Sequence, residues 1–133
     1  MMQALFTQQE KLYNVGARNF LFVDVPPIHR TPAGRGAVDG ETFEAFNTQL
    51  RLHARSFADL HTDATVMIFS SCRTFNSFLD NPVGYGFEQS DCHKSGGAMW
   101  FDRLHPSSRT HELVANDLSE FIGTVPGYGV EVV

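Results

Sequence analysis

Two short apolar runs on either side of a long amphipathic stretch constrain this chain more than any other feature. Asn19-Phe20-Leu21-Phe22-Val23-Asp24-Val25 is almost wholly apolar and stops at Pro26-Pro27, and Thr65-Val66-Met67-Ile68-Phe69 repeats the pattern. Such runs read as strands, and continuous rather than alternating hydrophobicity predicts burial on both faces of a parallel sheet. Between them, Phe43, Phe46, Leu50, Phe57 and Leu60 share one helical face from about Glu41 to His61, with Asp39 placed to cap it. A helix linking two parallel strands is a right-handed βαβ unit, so the chain is of the α/β class.

The remaining elements follow from the same signals. Leu5, Leu12 and Val15, with Phe6 and Tyr13 alongside, predict a first helix over Gln3 to Ala17 that ends near Asn14 and Gly16. Pro and Gly punctuate residues 26–40, an irregular loop at the carboxyl end of the first strand, where sites form in α/β folds. A short helix is expected from Cys72 to Leu79, then a loop of about twenty residues bracketed by Asn81-Pro82 and Gly96-Gly97. Ser107 or Ser108 caps a last helix running to Phe121, and residues 123–133 read as an irregular tail beyond a domain of residues 1–122.

The chemistry concentrates at Trp100-Phe101-Asp102-Arg103-Leu104-His105-Pro106-Ser107. A carboxylate three positions before an imidazole can fold back in a tight turn, bond the ring N–H and stabilise the imidazolium formed when the other nitrogen takes a proton. Pro106 pushes His105 out of the α region, so the ring is expected on a loop, free to face a cleft. Asp102 and His105 are therefore the candidate orienter and general base. His29 and Arg30, in the loop after the first strand, and Trp100, beside the pair, are candidate substrate contacts.

Other classes are excluded or disfavoured. A formal charge of -5 without a basic run argues against nucleic acid and anionic membrane surfaces. No apolar run approaches the roughly eighteen residues of a spanning helix, and the first ten residues lack the features of a secretory signal. Asp91, Cys92, His93, Asp102, His105 and His111 could each bind zinc, but no Cys-x-x-Cys or His-x-x-x-His spacing occurs, so no metal and no cofactor is expected. Cys72 and Cys92 are the two cysteines, and their redox state is left open.

Gly16-Ala17-Arg18-Asn19-Phe20 leading to Asp24-Val25-Pro26-Pro27, then Asn81-Pro82 with Tyr85-Gly86-Phe87, then Trp100-Phe101-Asp102-x-x-His105-Pro106-Ser107, resemble in order and spacing the carboxyl-terminal half of the SGNH/GDSL hydrolase family. The likeness is strongest to fungal carbohydrate esterase family 16 acetylesterases, and it runs to about Ile122. It implies the later part of a three-layer α/β/α, flavodoxin-like fold with a parallel sheet. It also implies that Asp102 and His105 are two members of a triad acting on acetyl or other short-chain esters, with acetylated carbohydrates as substrates and an enzyme that is usually secreted. The family's Gly-Asp-Ser and Gly-x-Asn-Asp motifs do not occur in this sequence. Ser70 and Ser71 lack the glycines of a nucleophile elbow, and Asn116-Asp117 falls inside the last helix, where both are expected to be surface residues. The nucleophile is thus expected outside this sequence, in a longer esterase of which this is a truncated part. The alternatives are an inactive relic or a half-domain that binds carbohydrate or protein, with self-association through an unpaired sheet edge.

Overall fold

The computed structural model describes residues 1–125, so the tail expected after residue 122 lies largely outside the described residues. The chain folds as α1 (Met2–Asn14), β1 (Asn19–Val23), α2 (Gly40–Leu60), β2 (Thr65–Phe69), α3 (Ser71–Asp80) and α4 (Ser108–Thr124). Strands β1 and β2 pair in parallel, with Asn19 opposite Thr65 and Val23 opposite Phe69. The chain is an α/β protein built on this βαβ unit. No described helix is long and apolar enough to cross a membrane.

Phe20 and Phe22 point to one face of the sheet and pack with Phe6 of α1 and with Leu50, Ala54 and Phe57 of α2. The Phe6 and Phe22 rings stack at 5.0 Å, and Phe57 meets Phe20 edge-on at 4.9 Å. The buried stripe of α2 recurs at the spacing of a helix face, but Leu60 is 76% exposed. His61 takes its place, because the stripe through residues 50, 54 and 57 continues to 61: its ring lies 3.8 Å from Tyr13 and 4.5 Å from Phe57. On α1, Phe6, Met2, Leu5 and Tyr13 face this core, while Leu12 and Val15, expected inside, lie outside.

The other face of the sheet corrects the sequence reading. Leu21 and Val23 of β1 are 37% and 49% exposed, so the strand alternates instead of being buried on both sides. An apolar run does not show whether a second layer covers it. Here Phe121 of α4 meets Phe69 at 5.8 Å, and α4 packs on α3. Among the described residues no strand pairs with the free edge of β1.

A second core lies beyond the strands, where Phe75, Phe78 and Leu79 of α3 pack with Phe87, Cys92, Met99 and Trp100. Residues 81–100 are thus a packed segment rather than an open loop, shaped by two 3-10 turns, Val83–Tyr85 and Gln89–Cys92. Buried Asp91 closes it, its carboxylate accepting from the backbone of Glu88 at 2.8 Å and Ala98 at 3.3 Å. Cys72 and Cys92 are both free thiols.

The motif residues near the start are structural. Gly16 has φ +108°, a conformation open to glycine, and ends α1. Arg18 then donates to Asp63 at 2.9 Å and to the Tyr13 carbonyl at 2.9 Å, and Tyr13 donates to Asp63 at 2.6 Å. These bonds tie the turn before β1 to the turn before β2.

Candidate active site

Asp102 and His105 sit on a tight loop whose stem is fixed by backbone bonds. Phe101 N–H donates to the His105 carbonyl at 2.9 Å and Ser107 N–H to the Met99 carbonyl at 2.9 Å. Below the loop, Trp100 is buried, donates Nε1–H to the Cys92 carbonyl at 3.1 Å and stacks on Phe75 at 6.1 Å. Ser107 is the cap of α4, accepting from Thr110 N–H at 3.2 Å, and Thr110 donates to the Met99 carbonyl at 2.8 Å. From the opposite side Ala33 N–H donates to the Arg103 carbonyl at 2.7 Å.

Within that frame the two side chains meet. His105 Nδ1 lies 2.7 Å from Asp102 Oδ2. Asp102 Oδ1 accepts from the backbone N–H of Leu104 and of His105, both at 2.7 Å. The carboxylate thus has three donors, two of them backbone groups it cannot lose by side-chain rotation. The backbone N–H groups of His105 and Leu104, followed by the His105 ring, hold its carboxyl at about 2, well below the usual range. With Asp102 anionic, Nδ1 carries the proton and Nε2 presents its lone pair outward. The pair lies open to solvent, the His105 side chain being 69% exposed.

The depressed Asp102 pKa fixes a sign. A carboxylate whose folded pKa lies below its ordinary value stabilises the fold above that ordinary value, near 4, and loses this contribution as pH falls through the folded one. The Asp102–His105 contact is therefore expected to persist from neutral pH down to about pH 3 and to be lost near pH 2. The Asp102 carboxyl carbon shift, followed by NMR, reads this directly.

The other candidates are placed differently. Trp100 lies beneath the loop as packing and forms part of the wall of a small apolar cleft, of about 210 Å³, that His105 also lines. Arg30 is turned away as a tether, its guanidinium donating to Asn76 at 2.7 Å and Asp80 at 2.7 Å of α3. His29 packs against Gly40, where an added Cβ would come within 3.1 Å of its ring. Among the described residues its buried Nδ1 has no hydrogen-bond partner, and the residue lines a larger cleft of about 610 Å³ at the carboxyl ends of the strands. Neither His29 nor Arg30 lines the cleft with His105.

Among the described residues no group of His, Cys, Asp and Glu is placed to hold a metal. The hydroxyls of Ser70 and Ser71 are engaged elsewhere. Ser70 donates to Asp24 Oδ2 at 2.7 Å while capping α3, and Ser71 donates to the Asp24 carbonyl. Burial, and then Asp24, push the Cys72 thiol up, away from a reactive thiolate. Asn116 is a surface residue, as expected, and Asp117, also exposed, accepts from Thr74 at 3.0 Å and ties α4 to α3.

Two residues that position the site carried a signal the sequence reading passed over. Asn47 stands in the apolar stripe of α2, and a polar residue at a core position needs partners. Its amide accepts from Val25 N–H and donates to the Val25 carbonyl, both at 2.8 Å, as a strand would, fixing the chain just before Pro26. Asn47→Leu is expected to lower stability by about 2–4 kcal/mol in urea unfolding, because both Val25 groups lose their partner. Asp24 continues the inward register of Phe20 and Phe22, and its side chain is 1% exposed.

The fold and this loop together define a class: a parallel α/β protein carrying a carboxylate-oriented imidazole beyond its strands. The comparisons support the SGNH/GDSL hydrolase family for this chain. It is 34% identical over 129 residues to an acetylesterase of Thermothelomyces thermophilus, covering 90% of this chain and 43% of that protein. Two GDSL esterase/lipases of Arabidopsis thaliana are 26% identical over 148 residues and 22% over 139 residues, covering 84% and 80% of this chain. The chain spans about two-fifths of the length of these curated relatives, 43%, 37% and 38% respectively. No family model matches it.

Proposed function

We propose that this chain is the carboxyl-terminal, proton-handling part of a GDSL-type serine ester hydrolase. The observation that carries the reading is the 2.7 Å contact between His105 Nδ1 and an Asp102 carboxylate held by two backbone N–H groups. In the complete domain, His105 Nε2 takes the proton of a serine hydroxyl as it attacks the ester carbonyl, and Asp102 stabilises the imidazolium. His105 then gives that proton to the leaving alcohol, and a water deprotonated by the same nitrogen releases the acid. The serine and the oxyanion donors come from the remainder of the family domain.

The exposed surfaces support the same reading. Leu21, Val23 and the 74%-exposed Phe101 are apolar and exposed, and no described strand pairs with the outer edge of β1, where a further parallel strand can add. The substrate class is acetyl and other short-chain esters, as the acetylesterase relative suggests, with carbohydrate as the alcohol by the family resemblance.

The test is a chimera in which residues 1–125 replace the matching stretch of the Thermothelomyces thermophilus acetylesterase. Hydrolysis of 4-nitrophenyl acetate that depends on both Asp102 and His105 supports the reading. A chimera indifferent to both substitutions overturns it. The exposed apolar side chains of Leu21 and Val23 also favour a second reading, a half-domain that pairs with another copy. A concentration-dependent dimer in sedimentation, abolished by Leu21→Lys, would favour it.

A further inference from the structure

We propose that the small apolar cleft against His105 is a compartment for a short alkyl group of the ester, and that its size sets an upper limit on that group. The inference rests on the ester-hydrolase reading for its relevance, but not for its test. The cleft is walled by Pro26, Pro27, Ile28, Phe75, Trp100 and Leu104, with His105 at one side. Two of its polar side chains are already engaged. Thr31 Oγ1 donates to the Ile28 carbonyl at 2.9 Å and accepts from Gly34 N–H at 2.9 Å, and Trp100 Nε1 is bonded to Cys92. Among the described side chains that wall it, His105 is the one with a polar atom still to offer, so a hydroxyl-rich sugar entering here would lose its water while recovering few hydrogen bonds.

Size narrows the occupant further. At about 210 Å³ the cleft falls below the roughly 300–1,000 Å³ of sites for drug-sized ligands. It matches the liquid volume of about seven waters, room for a chain of about six carbons at most. The walls are rigid where it matters: Trp100 and Phe75 belong to the buried core, and the Pro26-Pro27 turn is held by Asn47 through Val25. Leu104, 43% exposed, forms the lip.

Trp100 is the chain's one tryptophan and so reports on the cleft. The probes are alkan-1-ols from ethanol to octanol and the matching alkanoates, titrated into the chain while Trp100 emission is followed. Affinity is expected to rise about threefold to fourfold per methylene and to stop rising at about six carbons. Leu104→Arg, which sets a cation at the lip without touching the core, is expected to weaken the best probe at least tenfold. Ile28→Ala, which deepens the cleft, is expected to move the limit to longer chains. Stronger binding of alkanoates places the acyl side of the ester here, and stronger binding of alkanols the alcohol side.

Emission that responds to neither series overturns the proposal. So does affinity that climbs unbroken to eight carbons and is indifferent to Leu104→Arg and Ile28→Ala, which is partitioning onto exposed apolar surface. Because alkyl binding needs neither serine nor proton transfer, loss of activity in the chimera leaves this result standing. A chimera that hydrolyses esters leaves it equally open to refutation.

Discussion

In the chimera carrying residues 1–125, His105→Ala is expected to lower kcat for 4-nitrophenyl acetate on the order of 10⁵-fold, with KM changed little. The reason lies in what remains. Without Nε2 the serine proton has no acceptor at the moment of attack and the leaving group has no donor, while oxyanion stabilisation and binding persist. Asp102→Asn is expected to cost on the order of 10⁴-fold. An amide in its place can turn its N–H₂ toward Nδ1, forcing the ring to carry its proton on Nε2, where the base must be free. The two losses should not add, because the residues act as one unit, and a double variant no slower than about the worse single one is the matching expectation.

Asp24→Ala is expected to be strongly destabilising, at about 3–5 kcal/mol in urea unfolding, measured as a shift in midpoint with the slope unchanged. Asp24 sits where β1 ends and α3 begins. Its carboxylate accepts from Ser70 Oγ at 2.7 Å, from Cys72 N–H at 2.8 Å and from Ser71 Oγ at 3.2 Å. It is thus a buried carboxyl group at a helix amino terminus, bonded to the donors of that first turn. Removing it takes the acceptor from Ser70 Oγ and Cys72 N–H, each at about 1–3 kcal/mol, while Ser71 keeps the Asp24 carbonyl, against a total stability of about 5–15 kcal/mol for an ordinary domain. Asp24→Asn, which keeps one acceptor, is expected to lose less than half as much. Equal stability of Asp24→Ala and the parent would contradict this assignment.

Much of this arrangement was legible in the residues, for reasons that can be stated. The apolar runs, the Pro-Pro stop and the helical stripe between them are local signals, and βαβ geometry follows from chain connectivity alone. Asp102-x-x-His105-Pro106 was legible because its geometry is also local, closed within one turn. What stayed hidden depends on distant partners. Nothing in Phe20-Leu21-Phe22-Val23 says that only one face meets a second layer, since the covering element must come from elsewhere in the chain. Arg30 read as a loop cation free to reach substrate, whereas its partners Asn76 and Asp80 lie on α3, about fifty positions away in sequence. Residues 81–100 showed no period because 3-10 turns and single buried side chains such as Phe87 and Met99 build that core. Asn47 and Asp24 were readable in principle: each is a polar group at a position whose register points inward.

The account stands on His105 being oriented by Asp102 so that Nε2 is the basic nitrogen, and the ring's tautomer tests that most directly. A long-range proton–nitrogen correlation spectrum of the chain, recorded with the imidazole neutral, separates the two ring nitrogens. His105 is expected as the Nδ1–H tautomer, with Nε2 unprotonated, and a shift away from that tautomer is expected in Asp102→Asn. An Nε2–H tautomer in the parent chain, or one that ignores Asp102→Asn, would contradict it.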